Sequence, residues 1–274
     1  GLAALLYDGA PNDIAQLEAW ETLPHERLSP RADTVASRMA VFRRLKHPSD
    51  TDPMFGPIRI LVMPIRSLIQ PVVQGLGDVE PLVFTVGEDL PLDEAAKRLI
   101  ENAYARVDLV MDRGEFAVRG GILDVFPPTA PHPVRIEFFG DEIDTIKEFH
   151  ASDQRTYGDG LKTIWATACR ELQLTDAVRT RAKALVGSIP NAEDMLESIA
   201  NAIPVEGMES LMPALVDHLE PVGSMLPKHA VILLSDPEKL RRSAEDLAKT
   251  ANEFLAASWH AVSYTHLTLP TTPY

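Results

Sequence analysis

Between Arg106 and Phe149 the chain breaks into strand-length runs separated by turn residues, and this stretch limits the possible fold more than any other. The runs are Arg106 to Met111, Glu115 to Arg119, Gly121 to Phe126, Val134 to Phe139 and Glu142 to Phe149. Their separators are Asp112-Arg113-Gly114, Gly120-Gly121, Pro127-Pro128 and Gly140-Asp141. Short links rich in Gly and Asp join antiparallel neighbours, because they adopt the positive φ that matches hairpin twist. An antiparallel β domain is predicted, preceded by a helix over about Leu92 to Ala103.

Outside that stretch helix and strand signals alternate. Ser29-Pro30 reads as the N-cap and first turn of a helix that buries Val35, Met39, Phe42 and Leu45 and stops at His47-Pro48. Ile58 to Met63 and Pro81 to Val86 are nearly continuous apolar runs bounded by Pro and Gly, which predicts strands of a parallel sheet covered on both faces. After Trp165, Thr175 leads a helix with Val178, Ala182 and Leu185 inward, and Asn191 leads another with Met195, Ile199 and Ile203. Ala230 to Leu234 is a predicted last strand, followed by a helix capped at Asp236-Pro237 with Leu240, Ala244, Leu247 and Phe254 inward. The simplest architecture is an α/β domain, residues 1–87 and 169–260, interrupted by a β-rich insertion at 88–168, with the last strand returning to the first sheet.

Leu2 to Tyr7 reads as the tail of an apolar helix, so the chain is expected to begin inside a larger protein. From Val262 to Tyr274 the composition turns to Thr, Pro and Leu without charge. Val262 to Thr272 matches one reading frame of a transposase-type sequencing adaptor, so 261–274 is expected to be read-through rather than native sequence and is left out of fold reasoning.

Charge and cysteine usage exclude several function classes. With 40 acidic residues against 26 Lys and Arg, a net charge of −14 argues against a sequence-independent grip on DNA, which relies on clustered cations releasing phosphate counterions. A single cysteine, Cys169, forms no internal disulfide and founds no thiolate zinc site. No apolar run approaches the ~20 residues of a membrane span, and no signal peptide is visible, so a cytoplasmic location is expected.

A search for catalytic groups finds none. No Gly-rich turn ends in Gly-Lys-Ser/Thr, the arrangement whose amides and Lys hold phosphate. Asp141-Glu142-Ile143-Asp144 spells the DExD pattern of helicase motors, but Gly140-Asp141 falls where a hairpin turn is needed and acidic residues are the usual solvated choice. His25, His47, His132, His150, His218 and His229 lack metal-ligand spacing, and no Ser lies in a Gly-x-Ser-x-Gly elbow. Arg119-Gly120-Gly121 is a single copy inside a strand pattern. What does stand out is one strand face. In Val134 to Phe139 alternation puts Val134, Ile136 and Phe138 on one side and Arg135, Glu137 and Phe139 on the other. A core does not suit Arg135 and Glu137, and a solvated face does not suit Phe139. Arginine beside an exposed aromatic is the composition of a protein-binding hot spot.

Arg113 to Arg155, RGEFAVRGGILDVFPPTAPHPVRIEFFGDEIDTIKEFHASDQR, resembles the second domain shared by the UvrB and transcription-repair coupling factor (Mfd) families, with the RGEF-x-VRG, D-x-FP, R-x-EFFGDEID and DQR elements in order. The segment Trp20 to Asp33, WETLPHERLSPRAD, is similar to the coupling factors; UvrB carries a Tyr-rich segment at this place. The resemblance implies a RecA-like parallel-sheet domain without a functional P-loop, interrupted by an inserted β-rich, α+β, UvrA-binding domain. It implies UvrA as partner, with Arg119, Arg135 and Phe139 as the contact residues, and no cofactor in this fragment. In the full-length family an ATP- and magnesium-dependent DNA translocase and an RNA-polymerase-binding domain follow, so polymerase and DNA are reached through parts outside this chain, and the family's degenerate nucleotide site lies before Leu2. The rival readings are a UvrB-type excinuclease fragment and a nucleotide-hydrolysing helicase fragment using Asp141 to Asp144. On the leading reading Arg135 is exposed, and Arg135→Glu abolishes UvrA binding without unfolding the domain.

Overall fold

The computed structural model describes residues 13–22, 28–48 and 56–265, with side chains described as far as 253. The predicted apolar helix at Leu2 to Tyr7 lies outside the described residues, as does all of the 261–274 tail beyond 265.

Short loops set the middle of the chain. Strands β6 (Glu115–Arg119), β7 (Ile122–Val125), β8 (Val134–Phe139) and β9 (Glu142–Phe149) pair antiparallel in sequence order. Arg119 faces Ile122 across Gly120-Gly121, and Phe139 faces Glu142 across Gly140-Asp141. Gly120 and Gly140 take φ of 60° and 65°, the left-handed values that such turns require. With β5 (Ala105–Arg106) at one edge and β10 (Thr156–Tyr157) at the other, the sheet has six strands in the order β10-β9-β8-β7-β6-β5. The predicted first strand is much shorter than Arg106 to Met111. After Val107 the chain leaves the sheet, because the Glu115 carboxylate draws the amides of Met111 and Asp112 into a turn, each at 2.8 Å.

One face of this sheet forms a core. Phe116, Leu123, Val125, Val134, Ile136, Ile143 and Ile146 pack with Ala95 and Leu99 of a helix, α3 (Leu92–Glu101), and with Leu82, Phe84, Ile164 and Ala166. Those last four belong to β4 (Leu82–Thr85) and β11 (Thr163–Ala166), which pair antiparallel with Leu82 opposite Ala166. The chain thus leaves along β4 and returns along β11, so the β-rich segment stands on a two-stranded stem.

The flanking parts depart more from expectation. Parallel pairing among the described residues is found between β1 (Ile14–Gln16) and β2 (Ile60–Val62) and, over two residues, between β5 and β6. The run Pro81 to Val86 forms β4, which goes to the stem rather than to a parallel neighbour, a long-range choice that local pattern does not reveal. Val62 is 48% exposed, so Ile58 to Met63 is not covered on both faces. Helix α1 (Ala32–Lys46) buries Val35, Met39 and Phe42 against Leu17, Val72, Leu76 and Val222, as its spacing predicts. Its N-cap is Arg31 and not Ser29; the Ser29 hydroxyl instead donates to Glu209 at 2.6 Å and accepts from the Gly207 amide at 2.9 Å.

Helix α2 (Ile65–Ile69) and strand β3 (Pro71–Val73) precede the stem; β3 pairs antiparallel with β12 (Leu219–Pro221) beyond it. After the stem, α4 (Asp176–Leu185) starts at Thr175, whose hydroxyl accepts from the Val178 amide as predicted. Helix α5 (Glu193–Ala200) is capped by Ala192 rather than Asn191, and Ile203, expected inward, is 54% exposed past its end. A short helix, α6 (Met212–Leu215), buries Met212 and Leu215 against α4 and α5. The predicted last strand does not form: Val231 to Leu234 are 52–95% exposed and join no sheet. Strand pattern alone leaves backbone groups unsatisfied, and no sheet edge among the described residues receives this run. Asp236 does start α7 (Pro237–Thr265), its carboxylate accepting from the Lys239 amide, and α7 leans on α2 with Leu240, Ala244 and Leu247 half-buried.

One buried ion pair ties the parts of the flanking domain together. Arg38 of α1 and Glu171 are both fully buried, with Nε to Oε1 at 2.5 Å. Trp20 Nε1 donates to the same Oε1 at 2.9 Å, and Arg38 Nη1 donates to the Glu18 carbonyl at 2.6 Å. Removing one partner of a buried pair leaves the other charge without compensation. Arg38→Met is expected to destabilise the chain by about 3–5 kcal/mol in urea unfolding, and a change under about 1 kcal/mol would remove this pair from its central role.

A second buried carboxylate is less well compensated. Glu209 Oε1 has no hydrogen-bond partner, and Arg170 Nη1 stands 3.7 Å away. Burial pushes the Glu209 carboxyl above its ordinary value, and Arg170 with the Ser29 hydroxyl offsets this only in part. A raised carboxyl stabilises the fold below the unfolded value of about 4.3 and loses that contribution as pH rises through the folded value. Glu209→Gln is therefore expected to raise the urea midpoint near neutral pH, with the gain closing as pH falls to about 4. A gain that does not depend on pH contradicts this assignment.

Candidate protein-binding interface

Because side chains alternate, the face of the six-stranded sheet opposite the core is fixed by the same register. Ala117 faces Asp124, Asp124 faces Arg135, and Arg135 faces Lys147 across β6 to β9; a second row runs Arg119, Ile122, Glu137 and Thr145. Phe139 continues this side at the end of β8, beyond a register shift after Glu137.

One end of the face is covered. Val110, Ala117, Phe126 and Phe149 make a small buried cluster under the segment that follows β5. At its margin lies Asp124, fully buried, whose carboxylate meets two guanidinium groups. Arg135 binds it with both arms, Nε to Oδ1 at 2.7 Å and Nη2 to Oδ2 at 2.9 Å, while Arg119 Nη2 reaches Oδ2 at 2.5 Å. The Arg135 guanidinium also lies 5.0 Å over the Phe149 ring and donates from Nη1 to the Gln154 carbonyl at 3.3 Å. Its hydrogen bonds to Asp124 raise its proton affinity above the usual arginine value, against a smaller effect of burial. Gln154, with φ of 61°, donates from its side chain to the carbonyls of Val110 and Ala151 at 3.1 and 2.8 Å and so fixes the loop that supplies this acceptor.

The other end is open and carries Phe139, 82% exposed. Fully burying a phenylalanine is worth roughly 1.5–3 kcal/mol, and this side chain forgoes most of that. Nor is it on a fraying tip. Leu90 N donates to the Asp141 carbonyl at 2.8 Å, Gly87 N to Ile143 O at 2.8 Å and Ile143 N to Glu88 O at 3.0 Å, so the hairpin end is stitched to the chain that follows β4. The same bonds place the DExD-like tetrad: Gly140-Asp141 is the turn, Ile143 is buried in the core, and Asp141, Glu142 and Asp144 are exposed.

The three sequence-predicted contact residues therefore share one sheet face but differ in exposure. Phe139 is open, the Arg119 side chain is half-exposed at 49%, and the Arg135 side chain is only 19% exposed. The expectation of a freely exposed Arg135 is corrected here, since packing on Phe149 and the Asp124 carboxylate draw it inward. Sequence reasoning missed Asp124. Its signal was an acid inside the apolar run Ile-Leu-Asp-Val, where a buried carboxylate requires cations on adjacent strands. No group of three or more His, Cys, Asp or Glu able to hold a metal ion occurs among the described residues. An open groove of mixed charge between α4 and α5, lined by Asp176, Arg179, Lys183 and Glu197, brings together no nucleophile with a base.

Comparison with known proteins accords with this geometry. Residues 82–165 match the UvrB interaction domain family, limits that fall on the stem strands β4 and β11. The chain is 48% identical to the transcription-repair-coupling factor of Mycobacterium tuberculosis over 94% of its length, 34% identical to that of Myxococcus xanthus over 85%, and 30% identical to that of Bacillus subtilis over 80%. It spans about a fifth of the length of these relatives, 22%, 20% and 20% respectively. The chain is thus a relative of the transcription-repair-coupling factors along nearly all its length and contains a UvrB interaction domain.

The exposures separate folding from surface effects. Arg135→Glu sets a second carboxylate against Asp124 and is expected to lower stability by about 3 kcal/mol or more, whereas Phe139→Ala stays within about 0.5 kcal/mol of wild type. Equal denaturant midpoints for Arg135→Glu and wild type would show that the clamp does not hold the face.

Proposed function

We propose that this chain recruits UvrA in transcription-coupled nucleotide excision repair, using the sheet face that bears Arg119, Arg135 and Phe139. The observation that carries the reading is Phe139, a large aromatic left 82% exposed on a stitched hairpin, on the sheet face that also bears a guanidinium pair. Relatedness to coupling factors and the UvrB interaction domain match support the same partner. On this reading residues 1–87 and 169–260 make a RecA-like domain without a functional P-loop, and 88–168 is the inserted UvrA-binding domain; 261–274 is read-through. The fragment works as a binding module in the cytoplasm. ATP and magnesium, RNA polymerase and DNA are engaged through other parts of a longer protein.

An isolated exposed aromatic anchor costs ~2 kcal/mol or more when truncated, which is more than a ten-fold change in affinity. Calorimetric titration of the full chain with UvrA is expected to show binding that Phe139→Ala weakens at least ten-fold without change in the thermal midpoint. Binding unaffected by Phe139→Ala would move the interface elsewhere, and no binding by the wild-type chain would end the reading.

A further inference from the structure

The ion cluster beneath the sheet face is unequal in a way that folding does not require. Among the described residues Asp124 is the one carboxylate bonded to the two guanidinium groups, and Arg135 alone satisfies both of its oxygens in a bidentate pair. Arg119 is a surplus cation, bonded to an oxygen that already has a donor. Its side chain is 49% exposed, against 19% for Arg135 and 1% for Asp124. The three groups therefore sum to one positive charge, with the Glu137 carboxylate on the same face near enough to act on Arg135. Replacing a buried ion cluster by apolar side chains is often neutral or stabilising, so stability alone gives little reason for an acid between Leu123 and Val125. What the arrangement does supply is order. Two long, rotamer-rich side chains are fixed before any partner arrives, and the entropy of fixing them is not lost at binding.

We propose that Asp124 is the positioning residue of this interface: it acts through Arg119 and Arg135, aiming both guanidinium groups across the face toward the same partner as Phe139. The proposal rests on the UvrA-binding reading above and deepens it. Arg135 is the fixed half, held by two oxygens, the Phe149 ring and the Gln154 carbonyl. Arg119 is the half that a partner group can share: Nη2 stays on Asp124 Oδ2 while the rest of its half-exposed guanidinium is open to a second acceptor.

A double-mutant cycle tests this on the full chain, with UvrA affinity and thermal midpoint read for every variant. Asp124→Asn is expected to weaken binding about ten-fold in the wild-type background and about two-fold in the Arg119→Ala background, because groups acting as a unit are not additive. A residue that only stabilises the fold gives equal losses in both backgrounds, and that result overturns the proposal. So does unchanged or tighter binding by Asp124→Asn, which would mean that the carboxylate sequesters the arginines. Should Asp124→Asn not fold, Arg135→Lys is the second arm. It keeps the charge but cannot meet both carboxylate oxygens in plane, so several-fold weaker binding supports positioning and wild-type affinity overturns it. Phe139→Ala is measured in parallel. If it binds as wild type does, the UvrA reading of this face fails and the positioning role falls with it; if it alone is weakened, only the role of Asp124 fails.

Discussion

The contact between Arg38 and Glu171 joins parts of the chain that the β-rich segment pulls far apart in sequence. Arg38 lies on α1, before the stem, and Glu171 follows the return strand β11. Between them the chain makes the whole six-stranded sheet. A loop that long carries a closure cost that grows only slowly with length, so a few strong local contacts at its base suffice. The stem pairing of β4 with β11 is one, and the buried pair with Trp20 is the other. The pair is not saturated: Arg38 Nη2 and Glu171 Oε2 have no partner. Its geometry therefore fixes how α1, the segment from Glu18 to Trp20 and the chain after the stem meet, at some expense in stability. Cys169 sits in the same junction, buried beside Tyr104 with its thiol pushed up by burial, which makes it a packing element and not a nucleophile.

With its base fixed, the sheet can be unequal on its two sides. The core side is continuous aliphatic and aromatic packing. The other is divided between a small cluster around Phe149 and an open area ending at Phe139. The division follows from chain length: the segment after β5 covers only the near end of the face, held there by the Glu115 carboxylate and Gln154. The guanidinium pair lies at the boundary, where low exposure strengthens each charge-assisted hydrogen bond while one arginine still reaches solvent.

How much of this was legible depends on whether local rules decide the outcome. Strands Glu115–Arg119, Val134–Phe139 and Glu142–Phe149 stand where the sequence pattern puts them, because two-residue turns set their register and alternation sets their faces. Thr175 and Asp236 cap their helices for an equally local reason. Ser29 has the same cap chemistry, but Glu209 and the Gly207 amide, far away in sequence, compete for its hydroxyl and win. The partner of Pro81 to Val86 and the failure of Val231 to Leu234 to form a strand were not legible, since a strand exists only with an edge to pair with. The candidate site divides in the same way. Phe139 was visible from alternation, whereas Asp124 could be found only by asking which cation faces it across the next strand.

The acidic surroundings of Phe139 bear on which partner surfaces this face rejects. Asp141, Glu142 and Asp144 are exposed on the hairpin beyond it, and Glu137 lies between it and Arg135. The face thus carries its cations at Arg119 and Arg135 and its acids from Glu137 to the hairpin, with the aromatic ring among the acids. A polyanion such as a nucleic acid backbone meets repulsion at the exposed acids of the hairpin, since phosphate binding needs clustered cations. A protein surface that alternates in sign about an apolar pocket meets none. Charge complementarity contributes more to specificity than to affinity, so on the proposed reading this pattern restricts the orientation of a partner as well as its identity. Under the proposed reading Phe139 and Arg119 belong to one interface, and the acids between and beyond them restrict which partner surface can meet both.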